Sequence, residues 1–74
     1  MKAVCKKREI IYLLGENNNN LPWLLDEINK YPDTFISKST FYRLLGNKSS
    51  WPLDYALIIS NILNTPIENL FVLK

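Results

Sequence analysis

Histidine is missing from this chain of 74 residues, which also has one cysteine and two glycines. Without histidine, neither a Ser-His-Asp nor a Cys-His catalytic arrangement can be assembled. The lone Cys5 cannot form a disulfide within the chain, and most zinc-ligand patterns also need histidine. Two isolated glycines cannot make a phosphate-cradling loop. We therefore identify no enzyme in the sequence and expect no metal or cofactor.

Long hydrophobic runs are also missing. The longest uninterrupted apolar run covers residues 10–14, whereas a helix needs roughly 20 apolar residues to span a bilayer. We expect a cytoplasmic protein with no membrane partner. A chain of this size buries only about 60–65% of the surface that its unfolded form exposes, which leaves room for one core. The sequence therefore predicts one domain over residues 1–74 that is stabilised by packing.

Charge is unevenly distributed, although the net charge is only +2. Residues 1–8 carry four basic side chains and no acid, and residues 34–48 carry Lys38, Arg43 and Lys48 and no acid. The segment between them, residues 9–33, carries five acids against one lysine. Ordinary surface variation in a short protein explains this pattern as well as a nucleic-acid partner does, so charge alone leaves both interpretations open.

Hydrophobic periodicity predicts helices, and no segment shows the sustained two-residue alternation of a half-buried strand. Gly15 is expected to stop the first helix, while the side chains of Asn20 and Ser37 are placed to cap the second and third. Asn64 is a plausible left-handed stop, and residues 65–68 form a capping box. The expected fold is all-α, with five helices at residues 2–14, 21–31, 38–46, 52–63 and 66–73.

The third predicted helix has two different faces. At 100° per residue, Leu44 and Leu45 fall within about 60° of Phe41 and define the buried direction. The outward face carries no carboxylate and holds Lys38, Ser39, Thr40, Tyr42, Arg43 and Gly46. An arginine can read guanine through two acceptors, and hydroxyls can contact bases or phosphates. Because any exposed helix carries residues of these kinds, the face alone also fits an ordinary solvated surface.

Three aromatic residues outside this helix allow further predictions. Trp23 lies opposite the apolar stripe of the second helix, where it is either a partner anchor or packs on the connection at residues 30–36, and we favour packing. Trp51 is expected to cap the core. The apolar residues 70–73 exceed what one short helix needs, which predicts a partner-binding surface containing Phe71.

Residues 36–48, 52–63 and 67–71 together resemble the XRE family of lambda-repressor-like helix-turn-helix domains, which includes phage Cro proteins and repressors. The match is ungapped from 36 to 71, and Lys48 stands where the family often has a basic phosphate contact. The chain departs from the family in about six extra residues at 30–35. It also has Leu25 in place of a small residue, and Leu45 in place of a frequent glutamate.

The resemblance implies a five-helix lambda-repressor-like domain with an extended turn between helices 2 and 3. It implies a small transcriptional regulator of phage or mobile-element type that occupies an operator on double-stranded DNA, as a homodimer. The expected DNA contacts are Asn20, Lys38, Ser39, Thr40, Tyr42, Arg43 and Lys48. The alternative is a protein-interaction module of the same fold that binds and modulates a repressor protein, with Trp23, Tyr42 and Phe71 as anchors.

Overall fold

The computed structural model describes residues 3–32, 34–46 and 50–73. These residues form a mostly helical protein with a small two-stranded sheet. The elements follow in the order β1 (Ala3–Cys5), α1 (Lys7–Glu16), α2 (Leu21–Ile28), α3 (Lys38–Leu45), α4 (Leu53–Leu63), α5 (Ile67–Leu70) and β2 (Phe71–Leu73). No helix in these ranges has the length and apolarity needed to cross a membrane.

The sheet overturns the prediction of a chain without strands. β1 and β2 are antiparallel, with Val4 paired to Val72. The first helix consequently begins at Lys7 rather than at residue 2, and the fifth ends at Leu70 rather than at residue 73. Strands of three residues are too short to show alternation, and their pairing partners lie at opposite ends of the chain.

The left-handed residues that follow α1 and α4 are asparagines and not glycines. Gly15 lies inside α1 rather than at its stop, so that prediction was wrong, and the left-handed residue beyond the helix is Asn18, at φ 59°. Asparagine tolerates this conformation better than most residues that carry a side chain. α2 ends at Ile28, three residues earlier than predicted. Asn64 adopts the predicted left-handed conformation, at φ 50°.

The predicted caps are confirmed at two helices and wrong at a third. Asn20 Oδ1 accepts the Trp23 N–H at 3.0 Å, and Ser37 Oγ accepts the Thr40 N–H at 3.3 Å. The capping box before α5 does not form, because the Thr65 hydroxyl donates to the Leu63 carbonyl at 2.9 Å. That hydroxyl therefore binds the C-terminal end of α4 and does not cap the N-terminal end of α5.

The core lies between the helices and the sheet. Trp51 is 2% exposed and makes edge-on ring contacts with Phe41 and Phe71, at centroid distances of 6.1 and 6.0 Å, which confirms its predicted place in the core. Cys5 Sγ donates to the Leu45 carbonyl at 3.4 Å and so joins β1 to the end of α3. Burial raises the pKa of the Cys5 thiol, and the neighbouring Trp51 side chain offsets part of the rise.

Candidate nucleic-acid interface

α3 is fixed to the core along one face. Phe41, Leu44 and Leu45 are all buried, as the helical spacing predicts. Because these three side chains fill one side of an eight-residue helix, the helix cannot rotate about its axis without losing core contacts. The opposite face is therefore presented to solvent in one defined orientation.

The solvent-facing side of α3 contains five of the seven predicted DNA contacts. Lys38, Ser39 and Arg43 are exposed, and Tyr42 is 37% exposed. Thr40 is half-buried on one shoulder, and Tyr42 packs its ring edge-on against Phe41 on the other, at 5.3 Å. The two cations, two hydroxyls and a phenol share this surface with no carboxylate from α3 itself.

A hydroxyl network organises the start of α3. Ser37 Oγ donates to Thr40 Oγ1 at 2.9 Å while it accepts the Thr40 N–H, and it lies 3.5 Å from Ser39 Oγ. The exposed Ser39 remains available to an external ligand. The Thr40 hydroxyl still has its own proton to donate, but its half-buried position places it at the margin of the surface.

Side-chain hydrogen bonds hold the connection between α2 and α3. These bonds were not predicted from the sequence. The Asn29 amide forms two hydrogen bonds with the backbone of Ile36, accepting its N–H at 2.9 Å and donating to its carbonyl at 3.1 Å. Thr34 Oγ1 donates to the Ile28 carbonyl at 2.9 Å. Thr34 and Ile36 of this connection are therefore tied back to the end of α2. No local sequence pattern distinguishes Asn29 from the chain's eight other asparagines.

Asn20 lies close to Tyr42 but offers less to an anion than expected. Its Oδ1 is occupied by the Trp23 N–H, and Pro22 has no N–H to donate, so the first turn of α2 has fewer available amides. Asn20 is itself exposed, and it lines a cavity of about 370 Å³ together with Tyr42, Leu21 and Pro22. The structure thus brings the start of α2 alongside one shoulder of α3.

Three predicted contacts have other outcomes. Phe71 is 1% exposed, so its prediction as a partner anchor was wrong: β2 pairs with β1 and turns this ring into the core against Trp51. Trp23 is half-buried and packs against the core, lining a shallow pocket with Tyr31 and Pro32, as the packing interpretation predicts. Lys48 lies outside the described residues.

Acidic side chains belong to other elements. On α2, Glu27 pairs with Lys30 at 3.0 Å, on the side of the molecule where Trp23 and Ile62 line a pocket. Basic residues at the start of α1 are exposed, and Lys6 Nζ donates to the Glu68 carbonyl at 3.1 Å. The described part of residues 34–46 combines Lys38 and Arg43 with no acid, so the surface of α3 is locally positive.

Comparison of the chain with protein-family models, curated proteins and solved structures finds no match. An α-helix with its side chains is about 10–12 Å in diameter, and the major groove of B-DNA, about 12 Å wide, admits one. A short, firmly seated helix with a positive outer face has dimensions that suit such a groove.

Proposed function

We propose that the protein is a sequence-specific regulator that binds double-stranded DNA and acts by occupying an operator. In this proposal the fold is of the lambda-repressor-like helix-turn-helix type, and α3 is the recognition helix. One observation carries the proposal: α3 is fixed to the core by one face while its opposite face is exposed, positive and free of carboxylates. Such a face complements both the phosphate backbone and the acceptor-rich edges of bases.

Each side chain of α3 has a proposed role that follows from its position. Arg43 is one of the residues that point most directly away from the core, and it reaches guanine O6 and N7 with its planar guanidinium. Lys38 and Ser39, in the first turn, contact base edges or phosphates there. Tyr42 contacts a thymine methyl or a phosphate at one shoulder, and the half-buried Thr40 contributes at the other.

Backbone contacts fix the register of the helix in the groove. Asn20, exposed at the start of α2, would donate to a phosphate through its Nδ2 rather than through a row of free amides. Lys48 remains a proposed phosphate contact. The exposed Lys7 and Arg8 in the first turn of α1 add positive charge that favours encounter with DNA.

We also propose a homodimer in which the β2 strands of two copies pair. The Lys6 N–H donates to the Leu70 carbonyl at 2.7 Å, and hydrogen-bonded pairs alternate along an antiparallel ladder. Val72 therefore directs its N–H and carbonyl to β1, whereas Leu73 directs its own to the opposite edge of β2. No described strand covers that edge, where Val72 is 41% and Leu73 38% exposed. A two-fold pair of this kind would read half-sites about 34 Å apart.

Leu73→Pro tests the dimer. Proline removes the edge N–H of residue 73 without removing a bond to β1, so we expect a monomer of 8.7 kDa in light scattering where the parent protein is a dimer. Leu73→Ala keeps the N–H and is the matched control. An unchanged mass for the proline variant, or a monomeric parent, would place the interface elsewhere or remove it.

DNA binding is tested directly by selection of preferred duplexes from a random pool, followed by fluorescence anisotropy at several salt concentrations. A protein that neutralises about four phosphates should give a log-log salt slope near −3.6. An absence of selected sequences together with a flat salt titration would contradict the proposed function.

Arg43→Ala tests the reading role of α3. We expect a loss of about 1–3 kcal/mol on the selected duplex and a relaxed preference at one base position, because a paired contact to guanine is removed. Lys30→Ala removes a cation that is paired with Glu27 on another side of the protein and serves as the matched control. Equal losses for the two variants on all sequences would indicate general charge attraction and not base reading.

A second candidate function is the interaction module that binds and modulates a repressor protein. The observation in its favour is that Tyr42, a frequent type of interface anchor, borders a cavity lined by the apolar side chains of Ile11, Leu14 and Leu21. Tyr42→Ala should then abolish capture of a repressor partner, while Arg43→Ala leaves it intact. If DNA is the ligand instead, Arg43→Ala should lower DNA affinity more than Tyr42→Ala does.

A further inference from the structure

Phe35 is an exposed aromatic residue on a fixed backbone. Its side chain is 78% exposed, the highest value among the large hydrophobic residues that the structure describes as exposed. Its backbone is held at two points by one hydroxyl, because Tyr55 Oη accepts the Phe35 N–H at 3.3 Å and donates to the Phe35 carbonyl at 3.0 Å. Two hydrogen bonds therefore fix the backbone of a residue whose ring contributes little to the core.

The residue that follows Phe35 is fixed as well. Ile36 is 5% exposed, and both of its backbone polar groups bind the Asn29 side chain. Two side chains therefore hold consecutive residues of the connection: Asn29, just after α2, binds Ile36, and Tyr55 of α4 binds Phe35. The next residue, Ser37, caps α3. The position of the Phe35 ring is consequently coupled to the position of the start of α3.

The ring lies beside the outer face of α3. Phe35, Thr40, Leu44, Pro52 and Tyr55 contribute to the lining of a cavity of about 330 Å³ between α3 and the start of α4. Thr40 lies 100° from Phe41 in one direction around the helix, and Tyr42 lies 100° in the other. Phe35 and Tyr42 therefore flank the outer face on opposite sides, with Arg43 between them.

The cations of α3 and the apolar ring together favour DNA as the occupant of this surface. Lys38 and Arg43 are the charged residues in the described part of residues 34–46. The acid that α4 contributes is Asp54, whose carboxylate accepts the Tyr55 N–H at 3.0 Å. An apolar ring at the margin of a helix face that carries Lys38 and Arg43 fits the major groove, where phosphates surround base edges and the C5-methyl of thymine offers an apolar contact to phenylalanine.

We propose that Phe35 is an additional DNA-contacting residue whose ring packs on the C5-methyl of a thymine at the edge of the site read by α3. It thereby creates a preference for thymine at one flanking position. Tyr55 is a positioning residue for this contact. The inference rests on the proposed function, since it assigns a further contact to the same interface.

The test removes the ring and the methyl group separately. In the selected duplex, each thymine is replaced in turn by deoxyuridine, which lacks only the methyl. The parent protein should lose about fourfold in affinity at one flanking position, equivalent to about 0.8 kcal/mol for one methyl-sized group. Phe35→Ala should bind the unmodified duplex about tenfold more weakly and should no longer respond to deoxyuridine at that position.

Tyr55→Phe tests the positioning role. It removes the hydroxyl that holds Phe35 and keeps the ring of residue 55, so the response to deoxyuridine at the flanking position should fall. In the Phe35→Ala background the same change should have no further effect on DNA affinity. A merely structural role would lower affinity by the same factor in both backgrounds. Tyr12→Ala, which removes a 63% exposed aromatic ring on α1, is the matched control and should keep the full response.

The outcomes separate this inference from the proposed function. If the parent protein selects no DNA, both are overturned. If it selects DNA but Phe35→Ala binds as tightly, or still responds to deoxyuridine at the flanking position, the Phe35 contact alone is overturned. If Phe35→Ala leaves DNA binding unchanged and reduces self-association, the ring is a contact between copies of the chain, which also overturns it.

Discussion

Removal of the Asn29 amide is the sharpest test of how α3 is held in place. In Asn29→Ala the N–H and carbonyl of Ile36 lose their partners at 2.9 and 3.1 Å, in a residue that is only 5% exposed. Each bond contributes about 0.5–1.5 kcal/mol net, and a buried polar group left without a partner costs about 1–3 kcal/mol. Because the bonds are only partly buried, water can restore some of this loss.

We therefore expect Asn29→Ala to reduce the free energy of unfolding by about 2–3 kcal/mol. For a domain of this size, that corresponds to a fall of about 10–20 °C in Tm. The total stability of such a domain is about 4–11 kcal/mol, so the loss is a large fraction of it. Asn29→Asp keeps an acceptor for the Ile36 N–H but places a carboxylate against the Ile36 carbonyl, so it should be no more stable than the alanine variant.

The measurement is urea unfolding followed by circular dichroism, with Asn61→Ala as the matched control on the exposed surface of α4. The control should change stability by less than about 0.5 kcal/mol, as exposed substitutions usually do. If Asn29→Ala is no less stable than Asn61→Ala at equal urea m-values, the side chain of Asn29 does not hold the connection, and the reasoning is refuted.

Two further predictions concern the rest of the fold. Gly15→Ala should raise the free energy of unfolding by about 0.5–1 kcal/mol in thermal unfolding, because Gly15 is helical and an added Cβ meets no atom within 4 Å; a lower Tm would contradict this. Burial raises the pKa of the Cys5 thiol, so its contribution to stability is fully present below the unfolded value of about 8.5 and is lost as pH rises through the folded pKa. The parent protein should lose stability relative to Cys5→Ala in that alkaline range, and an unchanged difference between pH 8 and 10 would count against it.

The helices could be predicted because their signals are local. The spacing of Phe41, Leu44 and Leu45 is enough to define the buried side of α3, and the caps at Asn20 and Ser37 depend on residues three positions apart. The outer face of α3 follows from the same geometry. The part of the candidate site that is an amphipathic helix is therefore visible in the sequence.

The strands could not be predicted because their signal is not local. β1 and β2 join residues about 70 positions apart, and neither has enough residues to show a period of two. The misassignment of Phe71 follows directly from this. Within a short helix predicted at residues 66–73, the apolar residues 70–73 exceed what one buried face needs, so Phe71 is expected to be exposed. Pairing with β1 instead places the ring in the core, in edge-on contact with Trp51.

The connection between α2 and α3 shows what a long connection requires in physical terms. A short turn fixes two helices through its own backbone, whereas a longer connection must be held by other groups to limit its conformational entropy. Asn29 and Tyr55 supply such groups from α2 and α4. The orientation of α3 is consequently set by neighbouring elements and not by its turn. Asn29→Ala should therefore lower both stability and DNA affinity, while Arg43→Ala should lower affinity alone, because its side chain leaves the packing of α3 untouched.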